Sequence, residues 1–174
     1  TIASTGGDNK IQGGTGALEV DIQSTSTANI NEIRTGAGAA DIALTGDGDN
    51  KITTGSGNTK ITITGSTGNG HSTVIGGSGS TSVTVIVPAA VVGSGHLYVA
   101  AGTGHTSVTL DAQIRASIEG GIDEANMATI DLASAKHAES RIFLSGFSQV
   151  TTLEIASTAT VTLERDAFAK VTFV

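Results

Sequence analysis

The chain has no cysteine and no tryptophan, one proline, one tyrosine and four phenylalanines. Without cysteine there is no disulfide framework, no thiolate metal site and no thiol chemistry. The shortage of rings argues against an ordinary compact globule, whose core large aromatics commonly fill. A narrow stack of coils needs only one or two layers of Val, Ile and Leu. Positive charge is scarce too: nine Lys and Arg against sixteen Asp and Glu leave a formal charge of −7 and a pI near 4.8. That balance argues against a nucleic-acid partner, which demands clustered Lys and Arg. No apolar run reaches the roughly 18 residues of a membrane-spanning helix. No basic segment followed by an apolar stretch opens the chain, which begins at Thr1 rather than Met, as a fragment or a processed product would.

What is abundant is glycine, and it is periodic. Thr35-Gly36-Ala37-Gly38-Ala39-Ala40-Asp41-Ile42 is followed by Thr45-Gly46-Asp47-Gly48-Asp49-Asn50-Lys51-Ile52. Thr54-Gly55-Ser56-Gly57-Asn58-Thr59-Lys60-Ile61 comes next, and later Gly76-Gly77-Ser78-Gly79-Ser80-Thr81-Ser82-Val83. Each unit has two turn glycines, a few polar residues and one aliphatic residue. A unit of about nine residues cannot bury its own apolar side chain, so it must stack on its neighbours in a solenoid. The expected fold is all-β, a parallel β-solenoid or β-roll, with Ile42, Ile52, Ile61 and Val83 in one interior column. An antiparallel sandwich is the competing architecture, because short strands with regular turn signals also suggest one.

Glycine also divides the chain. Of 24 glycines, all but Gly120, Gly121 and Gly146 precede His105. Residues 1–110 read as a Gly-rich repeat stack. Residues 111–174 read as a Gly-poor β continuation, with 142–174 as its cap. A longer echo links the segment 7–16 to 48–57, identical at seven of ten positions. Alternation such as Ile61 and Ile63 against Thr62 and Thr64 has the period of a strand. The segment 122–140 could hold a short helix on the strength of its Ala, Glu and Lys, but Ile130-Asp131-Leu132 reads better as strand. Pro88 ends the most apolar run.

Several residues invite a functional reading. His96 and His105 both follow Gly-x-Gly turns and are expected on adjacent coils; two His without a third ligand fall short of a zinc site. His71 and His137 read as exposed loop histidines. Thr62 and Thr64 are echoed by Thr81 and Thr84, then by Thr106 and Thr109, which raises ice binding as a minor alternative. There is no Gly-x-Ser-x-Gly elbow, His-Glu-x-x-His pair or phosphate loop, so the chain is not expected to be an enzyme. A polysaccharide-acting β-helix is the remaining catalytic alternative.

The glycine phrase resembles the RTX nonapeptide of calcium-binding β-rolls, Gly-Gly-x-Gly-x-Asp-x-apolar-x. The resemblance covers about half the chain. In that family, backbone carbonyls and the Asp at the sixth position bind Ca²⁺ between coils. Here the sixth position is Ala40, Asn50, Thr59 and Thr81, so the resemblance implies a degenerate relative that keeps the coil geometry and loses most of the metal sites. Calcium, the cofactor implied, is then expected at Asp47, Asp49 and Asn50, and more weakly at Asp8 and Asn9. The competing account is that Asp and Asn simply favour turns. The composition is also similar to that of RTX-bearing surface-layer proteins that leave bacteria by type I secretion, and 166–174 is similar to their C-terminal signals. That resemblance implies a structural component of an extracellular bacterial surface layer. Self-association into a lattice and a cell-surface glycan anchor are the partners it implies. An adhesin segment that binds a glycan or host surface is the alternative.

Overall fold

A computed structural model describes the backbone outside residues 66–69, 87–94, 112–114, 121–126, 133–140, 146–148, 156–159, 164–170 and 174, and the side chains of 1–65, 70–86, 95–109 and 116–120. Pro88 and His137 lie outside the described residues. One sheet holds β1 (Ile2–Thr5), β3 (Leu18–Gln23), β5 (Ala40–Thr45), β7 (Thr59–Thr64), β9 (Thr81–Ile86), β11 (Thr106–Asp111), β13 (Met127–Leu132), β15 (Gln149–Ile155) and β17 (Val171–Phe173). The other holds β2 (Asn9–Gln12), β4 (Ile30–Arg34), β6 (Asp49–Thr53), β8 (His71–Ile75), β10 (His96–Ala100), β12 (Arg115–Glu119), β14 (Arg141–Ser145) and β16 (Thr160–Leu163). Successive strands alternate between this odd sheet and this even sheet, and pairing within each is parallel. The chain is an all-β, parallel, two-sheet solenoid. The strand expected around Ile130 is β13.

Two repeat units make one coil. Ile42 therefore pairs in register with Ile61, and Ile61 with Val83, on the odd sheet. Ile52 pairs with Ile33 and Val74 on the even sheet. All four expected core residues are fully buried, but they form two facing columns rather than one, because consecutive units lie on opposite walls. Ile22, Leu44, Ile63 and Val85 add another buried column to the odd wall. Facing sheets lie about 10 Å apart, a gap that aliphatic side chains fill from both sides. No aromatic residue belongs to the described core, which accounts for their scarcity in the sequence. The longer echo is also structural: Ile11 and Ile52 share one column of the even sheet, with Ile33 between them.

The two corners of each coil differ. Where the chain passes from even to odd sheet, Gly14, Gly36, Gly55, Gly77 and Gly102 stack in one line, and Gly16, Gly38, Gly57, Gly79 and Gly104 in another. A Cβ on Gly57 would lie 2.0 Å from the Gly38 carbonyl oxygen, and one on Gly55 2.2 Å from that of Gly36. None of these ten glycines has a positive φ; what they supply is room for one backbone to lie on the next. The residues between them, such as Ala37, Ser56 and Ser78, are exposed and vary accordingly. At the opposite corner Gly6, Gly7 and Gly46 do adopt positive φ. Gly46-Asp47-Gly48 thus belongs to a different turn from Gly55-Ser56-Gly57.

The pairing runs β9–β11–β13 and β10–β12–β14 without a break, so the Gly-poor part continues the same stack past residue 110. The segment 142–174, expected to cap it, supplies β14 to β17, which extend both sheets.

Ile52→Asp puts an unpaired charge into a fully buried aliphatic column, so it is expected to cost about 3–5 kcal/mol. Denaturant melts of the two proteins measure this, and an unchanged midpoint would place Ile52 outside the core.

Candidate functional site

The five residues expected to hold calcium sit at the corner that leads into the even sheet. Asn9 and Asn50 have the same parity as Ile11 and Ile52, so strand alternation turns them inward. The Asn9 amide donates to Asn31 Oδ1 at 2.8 Å. The Asn31 amide donates to Asn50 Oδ1 at 2.8 Å and to Ser24 Oγ at 3.1 Å. The Asn50 amide donates to the Gly48 carbonyl at 2.9 Å and to Ser72 Oγ at 3.1 Å. These residues form an internal amide ladder, one rung per coil, with Asn31 and Asn50 buried. Interior amides are stable only when their groups are paired, and here each rung pairs the next.

The carboxylates point the other way. Asp8 Oδ1 accepts the backbone N–H of Ile30 at 2.9 Å, and Asp49 Oδ1 accepts that of His71 at 3.0 Å. Each ties its own coil to the one above. Asn58 does the same at the opposite corner, taking the N–H of Ser80 at 3.3 Å. Asp47 is buried at the bend, beside a cavity of ≈ 30 Å³ that Asn50, Ser72, Ile63, Val85 and Leu97 also line. That volume suits one or two waters. Calcium needs six to eight oxygens. Asp8 and Asn9, like Asp49 and Asn50, face opposite sides of their strand, and the two pairs are separated by a whole coil at Asn31. No group of three or more His, Asp or Glu converges among the described residues. Asp8 and Asn9 therefore do not share one site with Asp49 and Asn50 within a chain. The hydrogen bonds of Asp8, Asn9, Asp49 and Asn50 fasten coil to coil.

Ala40, Asn50, Thr59 and Thr81, the sixth positions of the four repeat units, are all interior. Thr59 and Thr81 belong to a hydroxyl ladder at the glycine corner. Thr35 Oγ1 lies 3.3 Å from Thr59 Oγ1, and Thr54 Oγ1 lies 3.0 Å from Thr81 Oγ1. Thr35 and Thr54 also accept the N–H groups of Gly55 and Gly77, at 2.9 and 2.7 Å. The next rung is broken. Thr106 occupies the register position of Thr81, but Gly76 stands where Thr54 stands one coil earlier, as the N–H pairing of the two shows. Thr106 Oγ1 is left buried without a partner.

The histidines and threonines also fall differently from the expectation. His96 pairs in register with His71, whereas His105 sits at the opposite corner. His71 Nδ1 lies 3.5 Å from Asp49 Oδ1, and His96 Nε2 lies 3.2 Å from Ser117 Oγ. Thr81 and Thr106 face the interior. Thr62 is matched in register by Thr84 and Thr109, on the outer surface of the odd sheet. The irregular spacing in sequence becomes a straight column because coils differ in length while strand register does not.

The two outer faces carry different chemistry. On the even sheet Lys10, Glu32 and Arg34 form a surface network with N···O distances of 3.6 and 3.0 Å. The Arg34 hydrogen bond, then the Lys10 charge, hold the Glu32 carboxyl below its ordinary value. Further along, the Tyr98 phenol donates to Glu119. That bond, with burial and the carboxylate charge behind it, holds the phenol above its ordinary value. Sequence reasoning passed over Tyr98, although its parity with His96 and its position between buried Leu97 and Val99 mark it as an outward aromatic. On the odd sheet the Lys60–Asp41 pair, 3.8 Å apart, borders a face of Thr, Ser and Ala.

Comparison with models of known protein families, with curated proteins and with solved structures finds no match. Any functional reading therefore rests on the geometry.

Asn50→Ala removes a rung and strands the Gly48 carbonyl, so a loss of about 2–4 kcal/mol is expected. Thr106→Val removes a hydroxyl that has no partner, and stability is expected to hold or rise by about 1 kcal/mol. Chemical denaturation compares them; equal losses would contradict the ladder.

Proposed function

We propose that the chain is a structural component of a secreted bacterial surface layer, a rigid rod that self-associates through lateral contacts. The observation that carries this reading is the outer face of the odd sheet. From β5 to β11 its central column is Ala43, Thr62, Thr84 and Thr109, flanked by Thr45, Thr64, Ser82 and Ser107. Among the described side chains of β9 and of β11 up to Thr109 this face carries no charge and one exposed apolar side chain, Ile86, whereas Glu19, Asp21, Asp41 and Lys60 charge its β3, β5 and β7 end. In a chain of net charge −7, two copies repel least where neither presents carboxylates.

Size decides how strong such a contact is. Four strands about 4.8 Å apart, each with about five residues rising 3.3 Å apiece, outline roughly 300 Å². A stable pairwise interface needs about 800 Å² per partner. One contact is therefore weak, and the same contact repeated through an array adds up. In this reading calcium acts between copies at the charged end of that face, where Glu19, Asp21 and Asp41 are exposed, because it accepts ligands from separate sources at modest geometric cost.

Sedimentation across a concentration series tests the reading. Association is expected to rise with concentration, and to rise more in CaCl₂ than in NaCl of equal ionic strength, where only screening acts. The double variant Thr62→Asp with Thr84→Asp is expected to stay monomeric, while Thr53→Asp on the opposite face associates like the wild type. A wild type that stays monomeric at every concentration contradicts the reading.

A further inference from the structure

We propose that the outer face of the even sheet around Tyr98 binds a neutral pyranose glycan that lies along the solenoid axis. This deepens the surface-layer reading by giving its glycan anchor a site, on the side of the rod away from the proposed lateral contact. Tyr98 is the only tyrosine of a chain without tryptophan, and it faces outward, half-buried, from the middle of β10. In register beside it stand Thr73 on β8 and Ser117 on β12. His96 lies two residues before it on the same face, within hydrogen-bonding distance of Ser117. Glu119 accepts from the phenol. A ring tethered at its far end is held in one orientation before any ligand arrives, which lowers the entropic cost of binding.

The chemistry fits a sugar better than the other candidates. A pyranose offers a C–H face that packs on an aromatic ring, and a rim of hydroxyls that both donate and accept. Tyr98 supplies the ring. Thr73, Ser117, His96 and Glu119 supply donors and acceptors around it, the few convergent polar groups that orient a ligand. The pattern also repeats along the axis. Lys51, Thr73, Tyr98 and Ser117 occupy one register position on successive strands, with Asp49, His71 and His96 in the position beside it. A linear polymer laid across the strands thus meets a hydrogen-bonding side chain about every 4.8 Å. The carboxylates of Asp49 and Glu119 outnumber the one cation of the described column, Lys51, and that balance disfavours an acidic sugar. The opposite face offers no described aromatic side chain, and its described carboxylates, Glu19, Asp21 and Asp41, lie together on β3 and β5, so the two sides differ in what they can hold.

The lack of tryptophan makes the test specific, since intrinsic tyrosine fluorescence reports on this position alone. Titration with soluble cello-oligosaccharide or chito-oligosaccharide is expected to give a saturable change, and oligogalacturonate of similar length little or none. By calorimetry Tyr98→Ala is expected to weaken binding about tenfold or more, a change of about 1.4 kcal/mol or more. Glu119→Gln, which keeps the ring and loosens its tether, should weaken it severalfold. The monomeric Thr62→Asp, Thr84→Asp variant should bind as the wild type does, so failure of assembly and failure of this site are read separately. No saturable response to either neutral oligosaccharide overturns the proposal, as does unchanged affinity in Tyr98→Ala or preference for the acidic sugar. A fluorescence change driven by protein concentration alone also overturns it, because a second copy would then cover Tyr98.

Discussion

At one corner of the four coils from Gly36 to Gly104 the backbone lies so close on the coil below that no Cβ fits between them. The contact is a glycine on a glycine carbonyl, at Gly38 on Gly16, Gly57 on Gly38, Gly79 on Gly57 and Gly104 on Gly79. Two walls of parallel strands need a tight bend on each side to face each other at aliphatic distance. Were this bend wider, the coils could not keep the strand spacing that their ladder hydrogen bonds require. The residue between each pair of glycines is exposed, so it varies while the glycines recur.

Given that corner, the rest of the interior follows. Facing columns of Ile and Val fill the gap without rings, and each fully buried side chain contributes about 1.5–3 kcal/mol. The polar residues inside are arranged by the same axial repeat: Asn9, Asn31, Asn50 and Ser72 occupy one register position on successive coils and hydrogen-bond along it. At Leu97 and Ala116 the position turns apolar. The amide ladder therefore ends at Ser72, and apolar side chains continue the column through Leu97 and Ala116.

The strand alternation and the solenoid were legible in the sequence because Ile61 and Ile63, or Val83 and Val85, alternate cleanly with polar residues. The echo of 7–16 in 48–57 was legible too, and marks coils in true register. What stayed hidden was the alternation of units between sheets. Gly46-Asp47-Gly48 and Gly55-Ser56-Gly57 look alike as text, yet one needs a positive φ and the other needs axial room, which no residue name distinguishes. Asp and Asn at the turns supply hard oxygens, which makes them candidate cation ligands, but their names do not show which of them face inward. The parity of Asn50 with Ile52 already placed that amide inside, and this signal was available. The outward set around Tyr98 depends on register across strands separated by twenty or so residues, and coil length varies too much for spacing alone to reveal it.

The described outer faces differ: hydroxyl side chains of β7 to β11 line the odd sheet beside the charged residues of β3 and β5, and the even sheet carries a charged, hydrogen-bonding surface with one aromatic ring. Both depend on the stacking at the glycine corner, which sets the strand register. The most direct test compares Gly57→Ala with Gly14→Ala in denaturant. Gly57 has a carbonyl oxygen 2.0 Å from the position a Cβ would take, whereas nothing lies within 4 Å of that position at Gly14. The stacking account predicts a loss of about 2–4 kcal/mol for Gly57→Ala and a change within about 1 kcal/mol for Gly14→Ala. Equal stability of the two variants would contradict it.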